Sequence, residues 1–274
     1  MAAPDSRGTV TGPVHVTGEV ITSRKAGAYR VLTLVAPGVA ESFRPGTFVA
    51  LSVGEARLGR RAMWVHRVRQ SGGYGATLDL VISPIGPGTR WLAALPAGSR
   101  IAVTGPLGRP FALPTEAARC LLVGEGYAAA ALFPLAERLR ERGCAVTLVI
   151  GADDEAHLLT ALEARRTTGS VVVVTADGSI GERGEVSDAA TRAVERADVV
   201  YAAGPVRLLE RLAAVAESHG VRSQLALERP LTCATGLCDG CPVPVVGDDG
   251  SEHVARACVD GPVFRGDRVR WEEL

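Results

Sequence analysis

The segment LTCATGLCDGCPVPVVGDDGSEHVARACVDGPVF places Cys233, Cys238, Cys241 and Cys258 within 26 residues, four of the six cysteines in the chain. Their spacing is C-x4-C-x2-C, then sixteen residues, then the fourth cysteine. Plant-type [2Fe–2S] proteins space their cluster ligands in this way. Four thiolates must converge on two irons, and a short loop lets three of them approach from one side. The small residues Ala234, Thr235, Gly236 and Gly240 let backbone N–H groups turn toward the sulfurs, which tunes the potential. A four-cysteine zinc site is the main alternative. Zinc sites usually carry two C-x2–4-C knuckles, and here only Cys238 and Cys241 form one. A redox or disulfide use is the third reading. Cys120 opens an apolar strand and Cys144 precedes one, so both read as small core residues.

The elements that must hold this loop follow from the hydrophobic pattern. From Val14 to Val103 the period is two. VHVTGEVI, YRVLTLVAP, TFVALSV, RAMWVHRV, TLDLVIS and SRIAVTG are six expected strands, mostly separated by Gly- and Pro-bearing turns. Six strands with one short helix among them, around GPGTRWLAALPAG, predict a small antiparallel barrel. After GPLGRPFALP the pattern changes. The strands RCLLVG, AVTLVIGA, SVVVVTADG and DVVYAAGP alternate with helices in YAAAALFPLAERLRERG, EAHLLTALEARR, EVSDAATRAVER and VRLLERLAAVAESHG. That alternation predicts a parallel sheet covered on both faces. Short strands around the cysteine loop are expected from about Ser223. The fold class is thus α/β plus β. A six-stranded antiparallel barrel spans 1–110, a nucleotide-type α/β domain spans 111–222 and a [2Fe–2S] loop domain spans 223–274.

Composition bounds the function. The chain of 274 residues is 47% apolar and 22% charged, with a net charge of zero. Zero net charge argues against a nucleic-acid partner, which would need a basic face. The longest apolar run, residues 128–136, is far shorter than the ~18–20 residues of a membrane span. The start MAAPDSRGTV has neither the basic nor the apolar region of a signal peptide. A cytoplasmic location is expected, where clustered cysteines bind metal or do redox chemistry. The five histidines show no H-x3-H spacing, and no Ser-His-Asp set or G-x-S-x-G elbow supports a hydrolase.

Several stretches resemble the electron-transfer subunit of class 1B dihydroorotate dehydrogenase, in the ferredoxin–NAD(P) reductase superfamily. TADGSIGERGEVSD resembles its DDGSxGxKGxVTD segment. YAAGPVRLLERLA resembles its CGPxPMLKAVA, and LALERPLTCATGLCDGC its SLEERMxCGxGxCxxC. PGTRWLAALPAGSRIAVTGPLGRPF resembles the stretch after the flavin site, and CVDGPVF the family's ending. The resemblance implies that NADH reduces FAD, that FAD passes electrons to the cluster, and that the cluster hands them to FMN in a separate catalytic subunit.

The departures from the family pattern concern the other cofactors. The flavin motif R-P-x-S reads Arg61, Ala62, Met63, Trp64 here, so a hydroxyl donor gives way to an indole. The family's next contact, an aromatic–Arg pair, falls in Val81, Ile82 and Ser83, and its phosphate-binding Arg is missing. Gly88 and Thr89 remain at the start of the short helix, where backbone N–H groups favour a pyrophosphate. These nine residues are the expected FAD contacts in a retained but altered site; the alternative is a barrel kept as scaffold. The family loop G-G-G-x-G-x-A-P reads VGEGYAAAAL. Gly124 and Gly126 persist, but Glu125, Tyr127, Ala128 and Ala131 replace other positions, and Cys-Gly-Pro becomes Ala203-Gly204-Pro205. A carboxylate at the loop tip repels a dinucleotide phosphate, so NAD(P)H is not expected as a cofactor. Glu228 and Arg229 read either as a pin for the cluster loop or as a surface pair.

The expected function is an electron-transfer subunit that exchanges electrons through its cluster with a flavin-containing catalytic subunit resembling dihydroorotate dehydrogenase. An external ferredoxin or reductase would serve the other end. The alternatives are a stand-alone NAD(P)H reductase and a non-catalytic scaffold subunit.

Overall fold

Alternating apolar residues build the first layer of the computed structural model, which describes residues 12–54, 59–71, 73 and 75–274. The residues read above for a signal peptide, 1–10, lie outside the described ones. Strands β1 (Val14–Ala26), β2 (Tyr29–Val35), β3 (Phe48–Ser52), β4 (Arg60–Ser71), β5 (Gly75–Ile82) and β6 (Arg100–Leu107) close into a barrel in the order β1-β2-β5-β4-β3-β6. Val20, Leu32, Leu34, Val49, Leu51, Leu78, Leu80 and Val103 fill its interior. Helix α1 (Val39–Ser42) follows β2, and α2 (Pro87–Ala93) leads from β5 toward β6. Pro87 opens α2, where a missing N–H costs nothing.

The second layer alternates as expected. Strands β7 (Arg119–Glu125), β8 (Ala145–Ala152), β9 (Ser170–Thr175), β10 (Glu182–Arg183), β11 (Val199–Ala203) and β12 (Arg222–Ala226) are interleaved with helices α3 (Phe133–Glu141), α4 (Ala161–Thr168), α5 (Val186–Val194) and α6 (Val206–Ser218). Beyond the hairpin β13 (Pro242–Val246) and β14 (Glu252–Arg256), β15 (Val263–Arg265) returns to the sheet. The sheet order is β10-β9-β8-β7-β11-β12-β15, with only β15 antiparallel to its neighbour. The direction of the strand order reverses between β7 and β11, a topological switch point. Among the described residues no helix is long and apolar enough to cross a membrane.

Three expectations are corrected. The boundary placed at 222–223 falls on β12, which pairs with β11 over Val199↔Arg222 to Ala203↔Ala226 and so belongs to the parallel sheet. The helix expected over EAHLLTALEARR is split into a 3-10 turn at Glu155–His157 and α4. Asp154 caps the turn, and Thr160 at φ 40° breaks the helical path. The helix expected from Tyr127 begins as a 3-10 stretch, Gly126–Leu132, and becomes α-helical only at Phe133, next to Pro134.

Barrel and sheet are tied by charge as well as by packing. Glu163 on α4 accepts from His66 Nε2 at 3.0 Å and from Arg67, both on β4. Burial pushes the Glu163 carboxyl up, but the His66 hydrogen bond and the neighbouring charges outweigh it and hold it below the ordinary range. Glu163→Ala should therefore destabilise the protein by about 3 kcal/mol, because the buried His66 ring and the half-buried Arg67 guanidinium lose their shared acceptor. A depressed carboxyl contributes stability above its unfolded pKa of about 4.3, and that contribution is lost as pH falls through the lower folded value. The variant's melting temperature should accordingly fall less steeply below about pH 4 than the parent's; parallel acid limbs would count against this pair.

Candidate functional site: cluster loop, flavin-type pocket and switch-point crevice

The four cysteines come together as two pairs. Cys241 Sγ lies 3.4 Å from Cys258 Sγ, and Cys238 is close enough to Cys233 to help lower its thiol. Among the described residues no three His, Cys, Asp or Glu side chains converge on one point. A [2Fe–2S] cluster takes two cysteines per iron, and the Cys241–Cys258 pair is one such couple. The donor set therefore fits a binuclear cluster.

The loop conformation serves the sulfurs. Thr235 N–H points at Cys233 Sγ and Gly240 N–H at Cys238 Sγ, each at 3.4 Å. Donation from Thr235 brings the Cys233 thiol down to about 6, while burial pushes Cys258 up to about 12. A cluster held by these thiols would have to displace the proton that burial keeps on Cys258, which would couple its binding to the order of this segment. Ala234 and Asp239 adopt positive φ, as does Gly236 at 79°. A Cβ on Gly236 would lie 2.6 Å from Val259. The Gly236 carbonyl accepts from Arg256 at 3.0 Å, and the Cys241 carbonyl accepts from Ala257 N–H at 2.9 Å. Cys238 is exposed, and its neighbour Leu237 is 85% exposed.

A cavity of about 510 Å³ lies between barrel, sheet and cluster segment. Of the expected flavin contacts, Arg61, Ala62, Met63, Trp64, Gly88 and Thr89 line it. Val81 and Ile82 do not: both are core residues, 2% and 0% exposed. Ser83 is likewise not among the lining residues. The Thr89 hydroxyl is engaged in capping α2 through Gly86. The Arg61 guanidinium rests on Gly88, where a Cβ would stand 2.5 Å from Nε.

Sequence reading missed the other wall, built by Tyr127 and by residues 227–231. Parallel register explains it. Gly124 is level with Ala203, and Ala203 with Ala226, so Glu125, Gly204 and the residues after β12 emerge at one sheet edge. Glu228 is not half of a surface pair; it pins the start of the cluster strap, through Trp64 and Tyr127 rather than through Arg229. Trp64 Nε1 donates to its Oε1 at 2.5 Å, and the Tyr127 hydroxyl donates to its Oε2. Burial pushes the Glu228 carboxyl up, against both hydrogen bonds. Arg229 Nε is buried without a partner among the described atoms. An unmatched guanidinium N–H and the Arg61–Gly88 seat are features that an anionic, ring-bearing ligand would satisfy.

At the switch-point crevice, Glu125 ends β7 and immediately precedes the 3-10 stretch. Its carboxylate pairs with Arg207 at the start of α6, and Arg207 also reaches Glu185 at 3.3 Å. Burial pushes the Glu125 carboxyl up, and the Arg207 charge opposes that shift. A Cβ on Gly204 would meet the Glu125 Cβ at 3.2 Å, and one on Gly124 would meet Ala129 at 2.6 Å. The strand ends are in contact with each other.

Residues 228–270, which include all four cysteines, match the model of the iron–sulfur cluster binding domain of dihydroorotate dehydrogenase B. The dihydroorotate dehydrogenase B (NAD(+)) electron transfer subunit of Desulforamulus reducens is 32% identical over 241 residues, covering 86% of this chain and 90% of its own length. The chain belongs to this family of electron-transfer subunits. The homolog of that subunit in Thermotoga maritima is 33% identical, covering 87% of this chain and 82% of its own. Among solved structures, one of an NADH-dependent reduced ferredoxin-NADP oxidoreductase, studied for flavin-based electron bifurcation, superposes with a TM-score of 0.83. It is 30% identical and covers 94% of this chain and 91% of its own. A ferredoxin reductase of carbazole 1,9a-dioxygenase, 20% identical with a TM-score of 0.65 over 76% of this chain and 67% of its own, shares the fold. The protein is thus an electron-transfer subunit of an oxidoreductase with a ferredoxin-reductase fold and a [2Fe–2S] domain.

The loop geometry gives one test. Gly236→Ala adds about 1–2 kcal/mol of left-handed backbone strain as well as the Val259 clash. Visible absorbance per chain should drop while far-ultraviolet circular dichroism stays as in the parent. Full cluster content in the variant would refute a tight loop.

Proposed function

We propose that this subunit relays electrons between FAD, held in the cavity beside Arg61 and Trp64, and a [2Fe–2S] cluster on Cys233, Cys238, Cys241 and Cys258. Its partner in this reading is an FMN-containing catalytic subunit resembling dihydroorotate dehydrogenase. The observation that carries the reading is the strap of residues 227–233. Its first five residues line the cavity, and its last is a cluster ligand. Leu231 and Cys233 are two residues apart, at most about 7 Å along the chain. FAD and the cluster supply the redox chemistry. The chain's part is to seat the ligand against Arg61 and Gly88, to close the cavity with Trp64, and to present the exposed Cys238 side of the loop outward. The relatives' names speak for a dihydroorotate dehydrogenase partner. The likeness to the bifurcating oxidoreductase favours, as a second reading, a complex with a different catalytic chain. A cytoplasmic location belongs to the same proposal and rests on cysteine usage.

Protein isolated without oxygen should contain about two irons and two sulfides per chain and, once reduced, give the electron paramagnetic resonance signal of a [2Fe–2S] centre. Cys238→Ala should remove most of the colour. Stoichiometric zinc without iron would overturn the cluster. For the flavin, Ala62→Pro with Trp64→Ser should change FAD content, read by fluorescence after heat release; identical content and spectrum would remove Trp64 from the site. Co-purification with a flavoprotein encoded beside this chain decides between the two partners.

A further inference from the structure

A dinucleotide bound to a doubly wound sheet lies in the switch-point crevice, with its pyrophosphate on the helix that follows the first strand. Two features already occupy that place here. Across the crevice, Glu125 at the end of β7 is joined to Arg207 at the start of α6, and Arg207 in turn to Glu185. The helix start that would receive phosphate carries a half-buried carboxylate, whose side chain is 12% exposed. The nearby cation is already engaged. A phosphate that captured Arg207 would leave Glu125 half-buried and unpaired, and would meet Asp153 as well, whose charge is felt at Glu125.

The second feature lies between crevice and cavity. Tyr127 follows the crevice loop directly and also lines the cavity. Its hydroxyl is bound to Glu228, which is held from the other side by Trp64. A ring entering from the crevice to reach the cavity must displace a phenol whose hydrogen bond spans that boundary. The glycines beside it leave little space: a Cβ on Gly124 would meet Ala129 at 2.6 Å, and one on Gly204 would meet Leu208 at 2.9 Å and Glu125 at 3.2 Å.

We propose that the subunit is closed to nicotinamide dinucleotides at the switch-point crevice and exchanges electrons one at a time with a carrier protein instead. The proposal rests on the relay reading above. It departs from the relatives, whose names carry NAD(+). A hydride delivers two electrons and a proton in one event, whereas the cluster takes one electron. A two-electron oxidation in the catalytic partner therefore needs two passages through this chain and two molecules of an oxidised one-electron carrier protein. The substrate's protons leave at the partner's flavin.

The test uses the intact holoprotein under anaerobic conditions, mixed in separate arms with NADH, NADPH and reduced methyl viologen, a one-electron donor. The viologen should bleach the visible absorbance on mixing, and millimolar NADH or NADPH should leave it unchanged. Calorimetry with NAD+ should give no binding heat. Glu125→Gly with Tyr127→Gly should gain NAD+ binding by at least about tenfold and be bleached by NADH. Bleaching of the parent protein by micromolar NADH, or NAD+ binding to it at micromolar concentration, would overturn the closure. So would a double variant that keeps its cluster spectrum and still ignores NAD+. Failure of the viologen to reduce the protein would instead sink the relay reading, so the two failures are told apart. If the double variant does not fold, the parent's NADH and NAD+ arms still decide.

Discussion

A carboxylate withdrawn from water must be met by donors, and Glu228 draws them from the whole molecule. Trp64 comes from the barrel, Tyr127 from the loop after the first sheet strand, and Glu228 itself from the strap that leads to the cluster. Removing any one partner leaves a polar group unmatched at the junction. The relative placement of cavity, crevice and cysteine loop is fixed by this contact together with the Glu163 pair and an apolar cluster that runs from barrel to sheet.

Two departures from the family pattern, read separately in sequence, turn out to be one. Trp64 replaces a serine in the flavin motif, and Tyr127 puts an aromatic ring at the variable position of the loop beside the crevice. They are 63 positions apart in the chain, yet both donate to Glu228. The loss of a flavin hydroxyl and the narrowing of the dinucleotide loop are thus linked through the carboxylate they share. A similar exchange holds at Glu125. Repulsion is what its type suggests, but Arg207 neutralises it, and the effect on a ligand comes from occupancy of the crevice rather than from bare charge.

Legibility in the sequence followed the range of the interaction. The cluster loop was readable because ligand spacing is local and its chemistry admits few alternatives. The barrel and the alternating sheet were readable because period two and the longer helical period are also local. The cavity's second wall was not, since Leu227 to Leu231 reach it only through the parallel register of β7, β11 and β12. The same register explains why the boundary at 222–223 fell inside the sheet: β12 is as apolar and short as a strand of a small separate domain. Val81 and Ile82 were assigned to the flavin by position in a motif, while their side chains are buried in the core and do not line the cavity. Thr160 splits an otherwise helical pattern through a backbone angle that its residue type does not advertise.

The base of the cluster segment has a consequence of its own. Leu227 N–H donates to the Pro262 carbonyl at 2.8 Å, and the strands on either side, β12 and β15, are sheet neighbours. Everything from 228 to 261 therefore leaves and re-enters the sheet at a single gate. An insertion whose ends already touch leaves its host strands paired, although this one also carries Glu228 and so brings its own contacts to Trp64 and Tyr127. In evolutionary terms the redox centre is a cassette: a plain reductase sheet could have acquired it by one event between two adjacent strands, and an engineer could exchange it at the same gate without redrawing the strands that carry it.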